Sequence, residues 1–141
     1  MFYALFMNKI LIIGCGHMGS ALLSSWYENS KNLFSIVDPI KFKKIKNSYS
    51  QRVKTYKNIN EIKDTKIYDI VVLAVKPQIV EEVMKDFKNF YFKKNVVVIS
   101  IIAGKKIFFF KKFLPQKIQF VRAMPNMPAL INKGVTCLVS N

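Results

Sequence analysis

The sequence predicts an α/β fold, a mainly parallel twisted sheet with helices on both faces, and three observations carry that expectation. Apolar runs of strand length alternate with helix-like segments along the chain, and strands separated by helical stretches call for crossover connections that produce parallel pairing. Two runs, 69–75 and 96–102, are continuous and rich in β-branched residues, the pattern of strands buried on both faces. At the start, Ile10 to Ile13 run straight into Gly14-Cys15-Gly16-His17-Met18-Gly19, and Ser20 to Trp26 follow with apolar positions three and four apart. That is G-x-G-x-x-G at a strand-to-helix turn, a Rossmann-like dinucleotide fingerprint.

The chemistry of the fingerprint rests on each glycine separately. Gly14 permits the tight turn out of the strand, Gly16 lets the backbone approach a pyrophosphate, and Gly19 lets the new helix pack closely. The helix N-terminus offers unpaired N–H groups to phosphate oxygens. Asp38 ends the apolar run 33–37, nineteen residues beyond Gly19. A carboxylate there accepts hydrogen bonds from ribose hydroxyls and repels the extra phosphate of NADP, while Lys41-Phe42-Lys43-Lys44 offers cations for that phosphate. The choice between NAD and NADP stays open, and Asp38-Pro39 also reads as a plain turn.

The remaining elements follow in order. A lysine-rich segment spans 41–47, and a short extended piece lies near 52–54. Asn58 or Asn60 caps a short helix through 61–63. Lys76-Pro77-Gln78 breaks the strand at 69–75, and 79–87 forms a helix with Ile79, Val80, Val83 and Phe87 on its apolar side. Ala103-Gly104 ends the strand at 96–102. A helix over 105–114 turns Ile107, Phe108 and Phe110 to the core and closes at Pro115. Strands at 118–122 and 135–139 complete the sheet. Ligands on such a sheet bind beyond the carboxyl ends of the strands, which brings 14–19, 74–78 and 103–104 to one crevice.

The 141 residues suit one domain, with 1–8 read as an N-terminal extension and 9–141 as the dinucleotide-binding domain. No stretch reaches the eighteen or more apolar residues of a membrane span, and Met1 to Phe6 lack the basic start of a signal peptide. Cys15, Cys137 and the single His17 make no metal-ligand set, and a reduced cytoplasmic setting fits. The formal charge of +15 raises the question of a nucleic-acid partner. Only Arg52 and Arg122 among the 23 basic residues are arginine, the lysines are scattered, and no nucleic-acid module is present. Solvated lysines with no specific nucleic acid and no membrane partner are therefore expected.

Four segments together resemble the N-terminal domain of pyrroline-5-carboxylate reductase: Ile13 to Gly19, Ala74-Val75-Lys76-Pro77, Ser100 to Gly104, and Arg122-Ala123-Met124-Pro125-Asn126-Met127-Pro128-Ala129. The resemblance runs from Lys9 onward, and the second and fourth segments are more specific than the glycines. It implies NADP or NAD as cofactor and 1-pyrroline-5-carboxylate as the small-molecule substrate, reduced to L-proline. It implies that Gly14, Cys15, Gly16, His17, Met18 and Gly19 cradle the pyrophosphate, with Asp38 near the ribose and Asn58 near the nucleotide. Ala74, Val75, Lys76 and Pro77 would line the path to the nicotinamide ribose, Ala103 would lie by the nicotinamide, and Met124, Pro125 and Asn126 would floor the ring and substrate.

No residue is assigned as catalytic and none as a metal ligand, because the nicotinamide supplies the hydride and the imine carries its own proton. Lys76 also reads as a surface lysine, Arg122 and Asn126 as loop ties, and Met124 and Met127 as core. Two departures from the family pattern stand out: His17 where Asn is common and Met127 where Thr is common. The family is homo-oligomeric through a helical C-terminal dimerisation domain that would begin just after Asn141, so the reading is of an excised domain or a truncated product. The alternatives are another imine or β-hydroxyacid reductase cofactor domain, or a basic nucleotide-binding module without catalysis.

Overall fold

In the computed structural model, residues 7–49, 51–126, 128 and 133–140 are described; the readings made on Met1 to Phe6, Met127 and Ala129 lie outside them. Among these residues four α-helices are interspersed with seven strands: β1 (Lys9–Ile13), α1 (His17–Asn29), β2 (Leu33–Val37), α2 (Phe42–Ser48), β3 (Val53–Tyr56), β4 (Ile70–Leu73), α3 (Val80–Asp86), β5 (Val97–Ser100), α4 (Ile107–Lys111), β6 (Gln119–Pro125) and β7 (Thr136–Ser140). The sheet order is β3-β2-β1-β4-β5-β6-β7. All pairings are parallel except β6 with β7. The winding therefore reverses between β1 and β4, the place where ligands of open α/β sheets bind.

Alternation along the central strands builds two cores, one on each face of the sheet. Ile10 and Ile12 pack with Leu23, Phe34, Ile36 and Ile45 under α1 and α2. Leu11 and Ile13 face the other way, into a layer with Leu73, Met84, Phe110 and Phe120 under α3 and α4. Both faces are covered, which is why β1 and β4 carry no polar residue after Lys9. Arg52 ties the outer edge down. Its guanidinium donates to the carbonyls of Ser30, Asn32 and Tyr27 and lies 4.0 Å from the centre of the Tyr27 ring, satisfying carbonyls left open at the end of α1.

Several elements differ from the sequence expectation. The lysine-rich segment becomes a true helix, α2. The strands expected at 69–75 and 96–102 shrink to four residues each in β4 and β5, because their apolar ends turn into the loops of the crevice. The helix expected over 105–114 is only five residues long. Phe108, expected in the core, is 73% exposed, while Phe110 is fully buried; on so short a helix a single side faces the sheet, and position 110 takes it. Ile79 is likewise 45% exposed, since it precedes α3 as its N-cap, and Met84 fills the inward place instead. No helix among the described residues is long and apolar enough to cross a membrane.

Candidate functional site

The corner between β1 and α1 is built by contacts too close for side chains. Gly14 has φ of +91°, in the region that glycine alone adopts readily. A Cβ on it would meet the Ala74 carbonyl oxygen and Val75 Cγ1 at 2.8 Å each. A Cβ on Gly19 would lie 2.4 Å from the Gly14 carbonyl oxygen, so α1 begins as close to the strand as backbone permits. Gly16 is different: a Cβ there would meet nothing within 4 Å. Its position opens outward, over the first turn of α1.

That turn has donors to spare. Gly14 N–H donates to the Val37 carbonyl at 2.8 Å, and Ser20 N–H closes the first helical bond on Gly16 at 2.9 Å. The amides of Gly16, His17, Met18 and Gly19 have no backbone acceptor among the described residues, no side chain caps the helix, and no acidic residue occupies its first turn. Four open N–H groups at the positive end of a helix, beneath open space, suit an anion.

Asp38 holds the corner from the side. Its Oδ2 accepts the Cys15 N–H at 2.9 Å, and its Oδ1 accepts the amides of Ile40 at 2.9 Å and Lys41 at 2.7 Å. The Asp-Pro turn is therefore real, and the same carboxylate latches the glycine loop. Of the roughly four lone-pair directions of a carboxylate, about one is left for a ligand. Cys15 is buried, and burial pushes its thiol up from the ordinary value against the opposing contact from Ser20. It is a packed thiol at neutral pH, not a nucleophile. Its carbonyl accepts the Ser20 hydroxyl at 2.9 Å.

The other sequence-derived positions line the same edge of the sheet, because parallel strands end together. Ala74 N–H donates to the Ile13 carbonyl at 2.8 Å, so Ala74 and Val75 touch the glycine corner directly, while Lys76 and Pro77 stand exposed in the next turn. Asn58 lies past the end of β3, exposed, its amide donating to Glu61 Oε1 at 3.3 Å. Ala103 sits in an exposed turn after β5, with Gly104 at φ of +72°. Met124 and Pro125 end β6, half-buried. Asn126 is a loop tie: Oδ1 accepts the Val135 N–H at 3.0 Å and its own N–H donates to the Val135 carbonyl at 3.3 Å.

Sequence reasoning missed one feature. A cavity of about 240 Å³ opens beside Cys15 and Ser20, between α1 and α2, with Lys41, Lys44, Ser48 and Tyr49 on its far wall. The lysines were visible as candidate cations, but the hollow depends on how two helices pack. Arg122 adds a second surprise, because its Nε is buried without a hydrogen-bond partner among the described residues.

Residues 9–104 match the model of the family described as NADP oxidoreductase coenzyme F420-dependent. The chain belongs to that family. The segment matched contains the glycine corner, Asp38, Asn58, Ala74 to Pro77 and Ala103, and stops short of Met124. The chain is also 30% identical over 139 residues to pyrroline-5-carboxylate reductase of Escherichia coli (strain K12), covering 95% of this chain and 50% of that protein. It is 33% identical over 141 residues to the reductase of the same name from Mycobacterium tuberculosis (strain ATCC 25618 / H37Rv), covering 94% and 46%. The crystal structure of Plasmodium falciparum pyrroline carboxylate reductase with NADP bound is similar at a TM-score of 0.75 and 26% identity, over 95% of this chain and 48% of that one. The chain spans about half the length of the curated relatives it matches.

Proposed function

We propose that residues 9–141 form the cofactor half of a pyrroline-5-carboxylate reductase, which binds NAD(P)H and reduces 1-pyrroline-5-carboxylate to L-proline. The observation that carries this reading is the uncapped start of α1 beneath the open space at Gly16. The names of the relatives and the NADP in the Plasmodium falciparum structure support the choice of reaction and cofactor. In this reading 9–141 is the working domain, to which Asn8 is tied by its N–H to Asn32 Oδ1, and two free cysteines suit a reducing cytoplasm.

In this reading each residue has its part of the cofactor. Amides from Gly16 to Gly19 hold the diphosphate, with Gly14 and Cys15 shaping the turn beneath it. The free lone pair of Asp38 faces the adenosine ribose, and Asn58 the nucleotide beyond. Ala74 to Pro77 border the nicotinamide ribose, Ala103 the ring, and Met124, Pro125 and Asn126 the floor under ring and substrate. Bound nicotinamide supplies the hydride. The protein's own part is to orient the two rings and exclude water, which needs no acid–base pair. In this reading the other half of the longer relatives completes the substrate pocket.

Titration of the purified chain with NADH and NADPH, followed by nicotinamide fluorescence, tests the binding claim, and proline formation from 1-pyrroline-5-carboxylate tests the reaction. The chain alone is expected to bind dinucleotide weakly and to turn over poorly. Failure to bind either dinucleotide at about millimolar concentration, an affinity of only ~4 kcal/mol, would remove the cofactor reading.

A further inference from the structure

The α4 side of the molecule carries a surface that dinucleotide binding does not use. Asp86 is the last acidic residue of the chain, and ten lysines and arginines, from Lys88 to Lys133, follow it. The side-chain ion pairs among the described residues, Lys85 with Glu81 and Lys93 with Asp69, involve neither α4 nor its flanks.

On α4 the exposed Phe108 lies three and four residues before Lys111 and Lys112, which places all three on one helix face. Lys112 Nζ is 5.2 Å from the Phe108 ring centre, and Lys105 Nζ is 4.7 Å from that of Phe109. Lys106 and Lys117 are exposed on either side. This surface is therefore a short helix face on which one large apolar side chain, Phe108, stands exposed among cations.

We propose that α4 and its flanking lysines dock the chain on an anionic lipid bilayer, with Phe108 entering the headgroup layer and Lys105, Lys106, Lys111, Lys112 and Lys117 facing the lipid anions. Five lysines on α4 and its flanks, one of them against the exposed Phe108 ring, match the chemistry of peripheral binding, in which clustered cations supply attraction and an apolar side chain supplies depth. A single-stranded nucleic acid would use the same cations, but it calls for a series of aromatic stacking platforms, and of the three phenylalanines of α4 only Phe108 is largely exposed. The docking does not rest on the reductase reading.

The test is co-sedimentation of the full chain with vesicles of phosphatidylcholine alone and with about 30% phosphatidylserine added. The chain should bind only the anionic vesicles and leave them as salt rises. Substituting Lys111→Gln with Lys112→Gln should lower partitioning about thirtyfold, and Phe108→Ser should lower it several-fold, both with unchanged circular dichroism. Lys54→Gln with Lys57→Gln at β3, removing the same charge from the opposite edge, should change it little. Equal binding to neutral vesicles, no binding at all, or an equal loss from the β3 pair overturns the proposal. So does tighter binding to polyuridylate than to the anionic vesicles when the two are compared at equal concentration of accessible anionic charge and equal salt, which would assign the surface to nucleic acid.

Discussion

The glycine corner and the β6–β7 edge terminate the same sheet in opposite ways. At the corner, backbone meets backbone at distances that leave no room for a methyl group, and a buried carboxylate collects three amides. At the edge, every residue of β7 is exposed, Leu138 to 67%, and the pairing with β6 is supported by the tie between Asn126 and Val135. A site whose shape is fixed by steric exclusion tolerates almost no change, whereas an edge held by pairing alone tolerates many.

The largest expected effect is at Gly19. Its new Cβ would stand 2.4 Å from the Gly14 oxygen, and Gly14 is itself wedged against Ala74 and Val75, so neither side can yield. Gly19→Ala should cost about 3 kcal/mol or more of stability, in the range of severe overpacking, as read by urea unfolding. A variant as stable as the parent would break the claim that the corner is sterically closed.

Asp38→Ala comes next. It leaves the amides of Cys15, Ile40 and Lys41 without their acceptor, and with Cys15 buried the cost should be about 1–3 kcal/mol. Asp38→Asn, which keeps one acceptor oxygen, should recover part of it. If the alanine variant loses dinucleotide affinity without losing stability, the carboxylate serves ligand more than latch.

Gly16→Ala separates site from scaffold. Its φ of −65° and ψ of −159° are open to alanine, and its Cβ would meet nothing, so stability should fall by at most about 1 kcal/mol, the cost of a poorer N-cap. Affinity for NADH and NADPH should fall about tenfold, ~1.4 kcal/mol, because the methyl group would occupy the space over the helix start. Unchanged affinity would mean that the diphosphate does not lie there.

The corner was legible because its signals are local. A strand-length apolar run, three glycines at fixed spacing and an acid after the second strand are all dictated by short-range backbone geometry, and the structure places them as the spacing implies. The parallel order followed from alternation of elements, and the reversal between β1 and β4 is what alternation permits. What escaped depends on distant packing. Phe108 and Phe110 are identical in sequence terms, and only the length of α4 and its seat on β6 decide which is buried. The hollow between α1 and α2 and the unpartnered Nε of Arg122 depend on how separate elements come together, which no short window of sequence contains. Asp38 lay between the two cases: its sequence offered a ribose ligand or a turn, and the structure shows the turn together with a latch that neither reading included.

The smallest expected effect is at Leu138, and it tests the other half of the contrast. The side chain pairs across from Ala123 yet stays mostly in solvent, so replacing it removes little buried apolar surface. Threonine has a β-branched shape that suits a strand and leaves the backbone ladder to β6 intact. Leu138→Thr should therefore change unfolding free energy by no more than about 0.5 kcal/mol, as surface substitutions do, and should leave dinucleotide titrations unaltered. A loss comparable to that of Asp38→Ala would mean that the face of β7 is covered in solution by a surface that this chain alone does not display, and the edge would then tolerate change as poorly as the corner does.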